Sequence, residues 1–158
     1  MHTIKNPLIS FILVALFLIS GCATQKIVST TSPEYKGKIN NVKMIGLTGQ
    51  GASVAFYAFV EQGYRVKEIN SGNKNIMVVA REKSIPYVAK IDKVGTDGAW
   101  WDGVFDFSMR VIDVSNETIV WSAYAEYGSG ATIRQVEQTK KAMSDMVKDF
   151  SKTFPSAK

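Results

Sequence analysis

Polar and apolar residues change their period several times along this chain, and each change marks an element. Residues 104–114 alternate cleanly, with Phe105, Phe107, Met109 and Val111 on one side and Asp106, Ser108 and Arg110 on the other. Residues 118–127 repeat the pattern, setting Ile119, Trp121, Ala123 and Ala125 against Ser122, Tyr124 and Glu126. Period two over such lengths predicts two half-buried strands, and Ser115-Asn116-Glu117 predicts the turn between them, with Asn116 suited to a positive φ. Residues 39–47, 64–69 and 87–94 are three further expected strands. Residues 132–153 carry Ile133, Val136, Met143, Val147 and Phe150 at spacings of three, four and seven, which predicts a long amphipathic C-terminal helix ended by Pro155. Residues 52–62 predict a shorter helix, with Gly63 in the left-handed position that closes it. Residues 74–83 fit either a strand or a helix; Ile76, Val79, Ala80 and Lys83 on one helical face favour the helix. The expected fold is α/β (α+β): a two-layer mixed sheet of about five strands with two to three helices on one face. After residue 21 the chain holds fifteen Val and ten Ile but one Leu, Leu47, a bias that suits sheets.

The N-terminus obeys a different rule. Lys5 precedes residues 8–19, which are apolar apart from Ser10, and twelve helical residues rise only about 18 Å against a hydrocarbon core of about 30 Å. A basic start, a short apolar run and small residues after it predict a secretory signal peptide over 1–21. The following residues, Ile19-Ser20-Gly21-Cys22, resemble the lipobox of bacterial lipoproteins. That resemblance implies a diacylglycerol thioether on Cys22, cleavage before it, and acylation (palmitate or a similar chain) of the new amine. Ala23 in place of Asp resembles the sorting pattern for the outer membrane in a two-membrane host; in a host with one membrane the anchor would lie in the cell membrane. Residues 22–38 then read as the lipidated cysteine and a polar tether, interrupted by Pro33 and Gly37 and able to reach about 55 Å when extended. Residues 39–154 read as a single domain.

Composition narrows the chemistry. The chain of 158 residues has one histidine, His2, and one cysteine, Cys22. Cleavage after residue 21 removes the histidine and lipidation blocks the thiol, so His-based general base catalysis and Cys-His or Ser-His-Asp nucleophiles are not expected. No catalytic residue, metal site or cofactor is expected, and the protein reads as a non-enzyme. The net charge of +5 is dispersed along the chain, without the clustered face that nucleic acid requires.

The order of elements, with "EQGYRVKEI" after the first helix, "IPYVAKIDKVG" later, and Val111-Ile112-Asp113-Val114 followed by Ile119-Val120-Trp121 before the terminal helix, resembles a superfamily of envelope lipoproteins. These are of the curli-secretion and penicillin-binding-protein-activator type, similar in fold to the N-terminal domain of the Tol-system propeller protein. The resemblance spans residues 39–154 and implies an anchored interaction domain, with no catalytic residues to carry over. It departs at Asn116, where the family turn has Gly, and in lacking two transmembrane hairpins, so a curli-type pore is not expected.

Three local features bear on function. Gly46, Gly49 and Gly51 precede a helix, but the spacing is that of a plain βα turn rather than a phosphate loop. Helix 52–62 carries no charge before Glu61, and Phe56, Tyr57 and Val60 spread apolar surface beyond the face the sheet needs; they are either covered by the tether or C-terminal helix, or form a partner or self-association surface. Trp100-Trp101, in a Gly/Asp-rich loop, either contacts glycan or a partner or caps the core. The expected function is a periplasm-facing accessory or regulatory lipoprotein that binds a protein partner in an envelope assembly of the cell-wall, secretion or flagellar type. The alternative is a peptidoglycan-binding lipoprotein, or a weak glycan hydrolase, working through residues 95–106.

Overall fold

The computed structural model of the chain describes residues 26–36, 41–94, 106–126 and 132–157. Six strands among them form one mixed sheet: β1 (Lys26–Thr31), β2 (Met44–Thr48), β3 (Arg65–Glu68), β4 (Tyr87–Val94), β5 (Asp106–Asp113) and β6 (Thr118–Glu126), in the spatial order β1-β6-β5-β4-β2-β3. Three helices accompany them: α1 (Ala52–Glu61), α2 (Ile76–Glu82) and α3 (Thr132–Thr153). The fold is α/β, as expected.

Two features of the sheet correct the sequence reading. Residues 26–31 are not tether. They pair antiparallel with β6 from Lys26↔Glu126 to Thr31↔Trp121, making the sixth strand. Ile27 packs on the core while the Ser29 hydroxyl donates to Asp149 Oδ2 at 2.5 Å. A Ser/Thr-rich edge strand buries so little that its composition looks like linker.

Two helices share one face, as expected, but the third lies on the other, so the sheet is not two-layered throughout. β2 pairs parallel with β3 on one side and with β4 on the other, so the chain crosses the sheet first outward and then back over β2. Two crossovers of the same hand running in opposite directions place their helices on opposite faces. Accordingly α1 and α3 cover Ile45, Leu47, Ala89, Ile91, Met109, Trp121 and Ala123, whereas α2 sits with Ile69, Ile85, Val88 and Val114 in a second, smaller core. β2 is buried on both sides, and at Gly46 a Cβ would lie 2.3 Å from Ile69 Cδ1, so a larger residue there would displace that side chain.

The ambiguous segment is helical for reasons that lie at its ends. Asn75 Oδ1 accepts from the Met77 amide at 2.8 Å, an N-cap. At the other end Ile85 N donates to Ala80 O and Ser84 N to Arg81 O, with Ser84 at φ 52, a Schellman closure. α1 closes in the same way: Tyr64 N donates to Phe59 O and Gly63 N to Val60 O, with Gly63 at φ 83, as the sequence predicts.

β5 and β6 keep their register until Val111↔Trp121 and then slip to Ile112↔Ile119. The residue left over is Val120. It turns inward and is 1% exposed, while Ile119, expected to point at the core, is 44% exposed. The Val120 carbonyl accepts from Ser32 N at 3.0 Å, which ties the end of β1 to the bulge. In the β5–β6 turn the positive φ falls on Glu117 (59°) instead of Asn116; the Asn116 side chain accepts from Thr118 N and donates to the Tyr35 hydroxyl.

Candidate functional site: the uncovered face of the first helix

α1 is held against the sheet by Ala55, Ala58 and Phe59, all buried. Phe59 meets the Phe150 ring of α3 edge-on, with centroids 6.0 Å apart, and Phe150 in turn touches Trp121 at 5.3 Å and Phe154 at 5.0 Å. This aromatic row fixes the angle between α1 and α3. It also settles how far α3 covers α1. Tyr57 remains 72% exposed and Val60 48% exposed, while Phe56 is half-buried against the core and meets Tyr57 edge-on at 5.7 Å. Of the three residues singled out from sequence, then, two stand free and one braces them. Between the two helices runs a groove of about 630 Å³ lined by Ser53, Val54, Tyr57, Glu61, Lys140 and Ser144.

The glycine-rich turn is structural. Gly49 has φ 96, and a Cβ on it would lie 2.1 Å from the Ile91 carbonyl oxygen; Gly51 N donates to that same oxygen at 3.3 Å. The loop lies flat on β4, and the small residues are needed for that close approach.

The sheet face opposite α1 and α3, beyond α2, is polar. Asp92 sits between Arg110 (3.0 Å) and Lys90 (3.4 Å), and the Tyr124 hydroxyl donates to Asp106 Oδ2. Exposed pairs of this kind contribute little to stability. Among the described residues there is no cluster of three His, Cys, Asp or Glu that could hold a metal ion, and no helix is long and apolar enough to cross a membrane. Cys22 with Ile19, Ser20 and Gly21, and also Trp100 and Trp101, lie outside the described residues.

A second concavity, not foreseen from the sequence, lies at the pole where β2, β3 and β4 begin and β5 ends. Lys43, Arg65 and Arg81 stand around an apolar floor that includes Met44, Ile85 and Tyr87, in a groove of about 690 Å³. Its basic residues come from three separate elements, so no local spacing announces them. Burial pushes the Tyr87 phenol above its ordinary value, and Asp113 and Tyr35 beside it add to the effect.

The geometry defines a class: an α/β domain with a six-stranded mixed sheet, an edge strand donated by the N-terminal segment, and a long C-terminal helix. Solved structures similar to it include the PelC dodecamer from Paraburkholderia phytofirmans, at 19% identity and a TM-score of 0.54, covering 78% of this chain and 95% of that one. A single-substitution variant of that dodecamer matches at 19% identity and 0.58, covering 85% and 100%. Lipoprotein GNA1162 from Neisseria meningitidis is a more distant likeness, at 16% identity and 0.41, covering 68% and 99%. No protein-family model and no curated protein matches the chain. At these identities what is shared is the fold.

Proposed function

We propose that this chain is a bacterial envelope lipoprotein, exported by residues 1–21, acylated on Cys22 and facing the periplasm. It acts without catalysis, as an accessory subunit that associates through the exposed face of α1. The observation that carries the reading is the uncovered apolar pair Tyr57 and Val60, braced by Phe56, on a helix whose other side is fixed by the core. An isolated domain gains nothing from such a face, whereas an anchored subunit confined to two dimensions uses it at raised effective concentration. The fold likeness to a dodecamer favours a second copy of this chain as the first partner, within the superfamily of curli-secretion-type lipoproteins that the motifs resemble.

The anchor is short. Only three residues, Ala23, Thr24 and Gln25, separate Cys22 from Lys26, where β1 begins. Four peptide steps span at most about 14 Å, so the domain is held close to the bilayer instead of ranging on a long tether. The strand pairings put Lys26, Glu126, Asp106 and Val94 at one end of the sheet, and in this proposal that end faces the lipid.

Two variants test the parts separately. Cys22→Ser should release the exported protein from the membrane fraction, and retention there would remove the anchor from the reading. Tyr57→Ser combined with Val60→Ser should convert the detergent-solubilised lipoprotein to a smaller species by native mass spectrometry, with its melting temperature unchanged. An unaltered mass would sink the α1 interface. Peptidoglycan pull-down that depends on Trp100 and Trp101 would favour the glycan-binding reading instead.

A further inference from the structure

The groove at the opposite pole deserves a ligand class of its own. Strand β5 rises about 24 Å from Asp106 to Asp113, so this groove lies that far from the end that the short anchor holds at the bilayer. Its floor is apolar: Met44, Ile85, Pro86, Tyr87 and Val114. Its charges are unequal in availability. Arg81 is engaged, donating to Glu117 at 2.6 Å and to the Val114 carbonyl at 3.2 Å. Asp113, the acid of the groove, is occupied by its own turn, accepting from the Ser115 amide at 2.8 Å, the Ser115 hydroxyl at 2.6 Å and, more distantly, the Tyr35 hydroxyl at 3.4 Å. Lys43 and Arg65 are exposed and make no ion pair among the described residues. The groove thus presents two available cations beside an apolar trough.

That combination selects among ligand types. Small-molecule sites orient their ligands with a few convergent, desolvated polar groups. None of the polar or charged side chains lining this groove is fully buried, so a small anion would meet only solvated charges here. An extended chain needs less: apolar side chains seated on the floor and carboxylates spaced to reach the rim. We propose that this groove docks an acidic, partly apolar peptide segment of a partner protein, with the partner's carboxylates on Lys43 and Arg65. The binding site itself stands on the groove's chemistry; only its orientation, away from the bilayer, rests on the lipoprotein reading above.

The test uses the full chain purified in detergent and a fluorescein-labelled dodecapeptide of alternating glutamate and leucine, followed by anisotropy. The peptide should bind, and the Lys43→Glu, Arg65→Glu double variant should weaken it by about tenfold or more while keeping its melting temperature. A lysine-leucine peptide should bind the double variant better than the parent chain. Equal binding of the acidic peptide by both proteins, or none by either, overturns the proposal. Competition by anionic phospholipid vesicles that is lost in the double variant also overturns it, since the groove would then recognise lipid. Cys22→Ser protein should bind the peptide unchanged, which separates a failure of this site from a failure of the anchor.

Discussion

The Tyr64 hydroxyl donates to the Phe154 carbonyl at 2.5 Å, joining the residue that follows the α1 closure to the residue that follows α3. Both side chains are buried, and beyond Phe154 the tail continues as a strap. Val42 N donates to Pro155 O at 2.9 Å, Ala157 N donates to Val42 O at 3.2 Å, and the Ser156 hydroxyl donates to Gln62 O at 3.0 Å. The last residues of the chain thereby hold the entry to β2 and the end of α1 together. Tyr64→Phe keeps the ring contacts with Phe59 and Phe150 but strands a buried carbonyl. It should cost about 1–3 kcal/mol in urea denaturation.

The same residue sets an alkaline limit. Burial raises the Tyr64 phenol well above its ordinary value near 10, because the phenolate would be desolvated. With the folded pKa above the unfolded one, the contribution is complete below pH 10 or so and is lost as pH rises beyond it. Melting temperature should therefore fall above that pH in the parent chain, and fall less steeply in Tyr64→Phe. Parallel alkaline slopes in the two proteins would contradict this.

Gly49→Ala should destabilise by about 2 kcal/mol or more, since the residue is held at φ 96 with the Ile91 oxygen where a Cβ would go. The effect would be read by thermal melting. Fold loss should occur without any change in association when the surviving folded fraction is assayed.

Ser84→Gly should do the reverse. Ser84 closes α2 at φ 52, a conformation glycine adopts without strain, so the variant should gain about 0.5–1 kcal/mol. A loss of stability on that substitution would show that the hydroxyl makes a compensating contact.

The bulge predicts an inversion between neighbours. Val120→Ala empties a buried position and should cost about 2 kcal/mol, while Ile119→Thr, at a half-exposed position, should cost well under 1 kcal/mol. Simple alternation predicts the opposite ranking, so two denaturation curves decide between them.

Most elements were legible because their signals are local. The period-two runs gave β5 and β6 to within two residues, the 3.6-residue pattern gave α3 with its observed bounds, and Gly63 marked the end of α1. The sequence left open whether the apolar side of α1 is covered or free, and the structure leaves Tyr57 and Val60 exposed, because coverage by α3 is set by packing between distant elements. β1 was not legible, because an edge strand half-buries only Ile27 and Thr31 and its Ser/Thr composition matches a linker.

The sequence by itself determined the order and type of most elements after β1 and the absence of histidine from the chain after residue 21. These follow from periodicity and composition, which act over a few residues. The tertiary structure alone decided which face α2 covers, that Val120 and not Ile119 enters the core, and that Lys43, Arg65 and Arg81 meet at one pole. Each of these depends on where a strand lands in the sheet: crossover direction sets the helix face, a one-residue slip reverses the side-chain direction, and parallel strand starts gather distant cations. Pairing between strands far apart in sequence leaves no local trace, so only the folded chain could show them.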